Sequence, residues 1–220
     1  MASKQISLFT SGQAFMKAMR TVLIVTALLL ALLACSQDQD QSTQGATPAP
    51  AGGVQAKDYV VTIGTAGITS DTYAIGQAIA QMVNAHGDAN HVRCIVAATG
   101  GSIFNINALM TGDLQFGLVQ TDRQDQAIKG RAEWRNKGPQ SNLRAVFNIP
   151  TNSLTLVTSA QVPDAVVYVV AKEVLKNIDE FKRLHPTLAA LSTASMRQGL
   201  AAPIHPGAKK FYDSEYGAEK

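Results

Sequence analysis

The stretch Val96-Ala97-Ala98-Thr99-Gly100-Gly101-Ser102-Ile103-Phe104-Asn105-Ile106-Asn107-Ala108-Leu109-Met110-Thr111-Gly112-Asp113-Leu114-Gln115-Phe116-Gly117-Leu118-Val119-Gln120-Thr121-Asp122 decides the fold. It reads as strand, glycine turn, helix, turn, strand. Ile103, Ile106, Leu109 and Met110 recur at helical spacing after Ser102, which suits an N-cap. Thr111-Gly112-Asp113 breaks that helix, and Leu114 to Val119 is the next strand. Polar side chains and bare glycine amides gather at both strand ends, where an open α/β sheet collects a small anionic ligand.

Toward the amino end, Tyr59 to Gly64 is a β-rich run closed by Gly64-Thr65-Ala66-Gly67. A helix follows, with Ile75, Ala78, Ile79, Met82 and Val83 on one face, and His86-Gly87 ends it. Val92 to Ala97 is nearly all apolar and predicts a strand covered on both faces. Toward the carboxyl end, Asp122 to Gly130 predicts a short helix and Arg131 to Asn142 a surface loop. Trp134, among Arg131, Arg135 and Lys137, is expected to be solvated there. Leu143 to Ile149 and Leu154 to Thr158 are two further strands. This alternation over residues 57–158 predicts one doubly wound α/β lobe. After Ser159 the texture changes. Asp164 to Lys176, Asp179 to Leu184 and Ala208 to Tyr216 are helical, so residues 159–220 form a helical segment without a strand.

The first 34 residues read as an address. Lys17 and Arg20 precede the apolar run Thr21 to Leu33, too short to span a bilayer and ending in Leu32-Leu33-Ala34-Cys35. Those are the marks of a secretory signal, and the ending resembles a lipobox that would place a lipid anchor on Cys35. Met16 or Met19 is an expected alternative start. Residues 35–56, rich in Gln, Ser, Thr, Pro and Gly, cannot bury a core and read as a flexible tether. The formal charge of +3 hints at nucleic acid, but Lys4, Lys17 and Arg20 lie in the address, where no acid does. Without them 16 basic residues face 16 acidic ones. No basic footprint for nucleic acid is left. With Cys35 lipidated, Cys94 is alone and reads as a small buried hydrophobe rather than a reactive thiol.

Three polar junctions follow successive strands: Gly64 to Tyr73, with Thr69, Ser70 and Tyr73; Thr99-Gly100-Gly101-Ser102; and Gln120-Thr121-Asp122. Two adjacent glycines let backbone approach a ligand, and first-turn amides carry partial positive charge. No Gly-x-Gly-x-x-Gly is present, so no dinucleotide or other cofactor is expected. No Gly-x-Ser-x-Gly, His-Glu-x-x-His or Cys-x-x-Cys occurs, so neither a catalytic set nor a metal site is expected. His86, His91, His185 and His205 fall in turns, where capping or solvation is the usual role. A periplasmic enzyme is therefore the least favoured class.

At these residues the chain resembles the TAXI family, the solute-binding subunits of TRAP transporters. The matching pieces are Ile63-Gly64-Thr65 with Tyr73 and Gly76, Ala98 to Ser102 with Asn105 to Leu109, Gly112 to Asp122, Asn142 to Phe147, and Leu200 to Tyr212. The resemblance implies a periplasmic-binding-protein type II-like clamshell that captures a small organic anion, glutamate or a related dicarboxylate. It implies delivery to a TRAP-type membrane permease from the periplasm, with Tyr73, Thr99 to Ser102, Asn105 and Gln120 lining the cleft. Thr69, Ser70 and Asp122 join them as ligand-binding candidates. Residues 35–220, 186 in number, are few for two such lobes. The first lobe is expected intact and the second largely missing, with the gap between Ser159 and Asp164. The alternative expectation is a truncated, degenerate lipoprotein with no transport role.

Overall fold

A computed structural model describes residues 58–217. The signal, Cys35 and the tether lie outside the described residues. The chain runs β1 (Tyr59–Gly64), α1 (Asp71–Asn84), a short α2 (Gly87–Asn90), β2 (Val92–Ala97), α3 (Ser102–Thr111), β3 (Phe116–Gln120) and α4 (Thr121–Ile128). After a loop come β4 (Leu143–Ile149) and β5 (Leu154–Ser159), then α5 (Asp164–Lys176), α6 (Ile178–Phe181), α7 (Thr193–Met196) and α8 (Pro206–Tyr216).

The strands form one five-stranded sheet in the order β2-β1-β3-β5-β4. β1 pairs parallel with β2 and β3, while β5 runs antiparallel to both of its neighbours. The period of two along β3 sends Phe116 and Leu118 to one face and Val119 to the other. The first face packs on α1, α5 and α8 through Ile75, Ile79, Val167, Val170 and Phe211. The second packs on α3 through Ile106 and Leu109, joined by Ala127 and Trp134. Helices on both faces of a mixed sheet make this a mixed α/β lobe.

Three expectations change. Trp134 is not in a solvated loop but fully buried, its Nε1 donating to Asn107 Oδ1 at 3.2 Å, because the 132–134 turn folds under α3. β2 is not covered on both faces. It is the edge strand, α3 crosses beside β3 rather than over it, and Ile95 stays 54% exposed beside Val60 at 56%. The carboxyl-terminal segment is helical but also adds an extended piece to the sheet. Ala145 N–H donates to Pro203 O and His205 N–H to Ala145 O, each at 2.9 Å, in a parallel bridge.

An open edge invites pairing with other chains. Asn84, the last residue of α1, answers this at mid-strand. Its Nδ2 donates to Cys94 O at 2.9 Å and its Oδ1 accepts from Cys94 N–H at 2.8 Å, standing in for the absent neighbour strand. Asn84→Ala should therefore lower stability by about 1–2 kcal/mol in urea denaturation and increase self-association measured by light scattering.

His205 caps α8. Its Nδ1 accepts from Gly207 N–H at 3.1 Å, which requires the neutral ring. Burial holds the imidazole below its ordinary value of 6.5, against the Asp164 carboxylate 3.7 Å away and with Arg144 repelling the charged form. A depressed imidazole gives stability that is present above the unfolded value and lost as pH falls. The melting temperature should drop on acidification below about 6.5. His205→Asn keeps a capping acceptor without a titrating ring, so its melting temperature should fall less over the same range.

Candidate functional site

The carboxyl ends of β1, β2 and β3 meet one rim of the sheet, and the elements that follow them enclose a cavity of about 300 Å³. Thr65 and Ala66 after β1, Thr72 on α1, Gly100 to Ile103 at the start of α3, and Gln120 and Arg123 at the start of α4 line it. Leu118 and Leu154 supply apolar floor.

The β2–α3 junction has its shape for local reasons. Gly101, not Ser102, is the N-cap of α3, with φ at +87° and ψ at −159°. That region is closed to side chains, so the second glycine is a conformational requirement. Ser102, one residue into the helix, is released from capping. Its Oγ accepts Gln120 N–H at 3.0 Å and ties this junction to the end of β3. Gly101 N–H is already committed to Thr99 Oγ1 at 3.1 Å. The donors left to a ligand are the first-turn amides of Ser102 and Ile103, which have no acceptor within their own helix.

Thr99 and Asn105 do not line the cavity; they hold it in shape from behind. Asn105 is fully buried. Its Nδ2 donates to Thr65 O at 2.8 Å and Leu118 O at 2.9 Å, and its Oδ1 accepts from Thr99 Oγ1 at 2.7 Å. Both amide hydrogens are spent inside the protein, and the residue is not among those lining the cavity. Ser70 caps α1, accepting from Tyr73 N–H at 3.2 Å and donating to Gly67 O at 2.7 Å. Tyr73 accepts from Gln77 Nε2 at 3.0 Å, and Thr69 stands exposed; none of these three is in the lining. Asp122 faces water, its side chain 62% exposed, also outside the lining. Of the ten residues read as ligand-binding, Gly100, Gly101, Ser102 and Gln120 are the ones the cavity brings together.

Arg123 went unnoticed in the sequence, yet it is the one charged residue among the lining residues. Helical spacing held the signal. In a helix that starts at Thr121, Gln124 and Ala127 are the buried positions, and Arg123 flanks them whereas Asp122 turns outward. Arg123 and the first turn of α3 line one cavity, with no carboxylate among the lining residues.

Gln124 is also fully buried, its Oε1 accepting from Ala201 N–H at 2.7 Å and Ala202 N–H at 3.1 Å. It ties the carboxyl-terminal segment to the helix that carries Arg123. Cys94 is buried at 3% exposure, and desolvation pushes its thiol up to about 12. It is a core residue with no thiolate to offer near neutral pH.

A model of the NMT1-like family matches this chain in two segments, residues 63–160 and 153–217. They share residues 153–160, which contain β5. Together they run from the last two residues of β1 through the end of α8.

Asn105→Ala strands Leu118 O and leaves Thr65 O and the Thr99 hydroxyl only each other. It should lower unfolding free energy by about 3 kcal/mol in urea titration, more than the mutation of any exposed polar residue on α3.

Proposed function

This chain belongs to the NMT1-like family, of periplasmic-binding-protein type, and is a solute-binding protein; from that premise we propose that it captures a small organic anion for a TRAP permease of the TAXI kind. Glutamate or a related dicarboxylate is the proposed solute. The single observation that carries the reading is the cavity at the strand ends, where Arg123, Ser102 and Ile103 line one hollow. One carboxylate suits the guanidinium, and another acidic or polar group suits the helix start. Binding without turnover is proposed. The reading includes export to the periplasm, with residues 1–34 as signal and Cys35 as the lipidated anchor.

Strand direction bears on where a second lobe would attach. The turn Pro150–Ser153 between β4 and β5 lies at the cavity end of the sheet, next to the lining residue Leu154, whereas Ser159 ends β5 at the far side. A second lobe closing over the cavity would join at Pro150–Ser153 rather than after Ser159. Among the described residues there is one sheet. That observation favours a second reading, a lipoprotein that keeps one lobe and has no transport role.

Isothermal titration of the full chain with glutamate, succinate and related dicarboxylates separates the two. Saturable binding is the expected result. Heats no different from dilution across that panel would reject the solute-capture reading and leave the second.

A further inference from the structure

The side chain of Arg123 is one-third exposed, and it leans against its own helix. Its Nη1 donates to Gln126 Oε1 at 2.9 Å, while its Nε lies 3.8 Å from Asp122 Oδ2 on the solvent side. Two acceptors of different character therefore compete for the guanidinium. Gln126 is neutral and fixes the group through one nitrogen. Asp122 is charged, more distant and well hydrated, so its pull is weak. An arginine carries about 2 kcal/mol of rotamer entropy, and a group already held loses less of it on gripping a ligand. The remaining face of the planar fork can still meet a carboxylate. A carboxylate in place of Gln126 would fix the arginine equally well but would neutralise it.

We infer that Arg123, oriented by Gln126, is the residue through which the cavity distinguishes a carboxylate from its neutral amide. The inference rests on the solute-capture reading above and goes further, assigning charge selection to one side chain and its orientation to a second. Gln126 is a positioning residue, since it acts through Arg123.

The test is calorimetry on the full chain with two matched pairs of probes, glutamate against glutamine and succinate against succinamide. Wild-type protein should favour the acid of a pair by at least about tenfold. Arg123→Gln should weaken acid binding roughly ten- to a hundredfold and leave the amide nearly unchanged, so the preference collapses. Gln126→Met is the decisive arm, since it removes the acceptor and adds no charge. A merely structural role for Gln126 predicts acid and amide binding unchanged. An orienting role predicts that the melting temperature holds while acid affinity falls several-fold and amide affinity does not. An acid-to-amide ratio untouched by Arg123→Gln, or acid binding untouched by Gln126→Met, overturns the inference while wild-type binding leaves solute capture standing. Wild-type protein that binds none of the four probes overturns both.

Discussion

The side-chain amide of Asn105 is the tie on which the rest of the site depends. Where β1 and β3 run toward the cavity, their ladder is short, pairing only Ile63 with Phe116 and Gly64 with Gly117. Beyond those pairs the strands diverge and their carbonyls lose strand partners. Asn105 reaches into the gap from α3 and satisfies Thr65 O and Leu118 O together. A buried carbonyl without a donor is expensive, so this amide keeps the sheet closed behind the cavity while its front stays open. The arrangement needs close approach. A Cβ on Gly64 would come within 2.6 Å of Asn105 Oδ1, which explains a glycine at the end of an otherwise β-branched strand.

Because Thr99 completes the network, the loop that presents Gly100 and Gly101 is anchored on its inner side. Ser102 anchors it to β3 on the other. The amides at this junction are thus fixed by contacts that do not depend on a ligand. Such preorganisation raises affinity by lowering what must be ordered on binding. The same logic extends to α4, whose Gln124 binds the 201–202 backbone and so steadies the helix bearing Arg123.

Much of the lobe was legible because its signals are periodic. Alternation and helical spacing marked all five strands and the long helices, since burial on two faces of a sheet writes a period of two or 3.6 into the residues. The junctions after β1, β2 and β3 were legible for the same reason. What escaped was direction. Thr99 and Asn105 are polar residues beside the glycine junction after β2, yet they point into the protein, because three neighbouring backbones needed partners there. Ile95 reads as core, yet edge placement of β2 leaves it in water, and strand order is not written in any single strand. Trp134 among basic residues reads as loop surface, and only the packing of α3 makes a pocket for the indole. Arg123 was hidden by its neighbour, the more conspicuous Asp122.

Cys94 gives the edge of the sheet a further property. A free thiol is a target for mixed disulfides, yet this one is screened by α1 and by Asn84 clasping its own peptide group. Reaction with any thiol reagent must wait for the β2 margin to lift away. The cysteine therefore works as a built-in stopwatch for the breathing of that margin: its modification rate reports how often the strand detaches, independently of the reagent once the reagent is in excess.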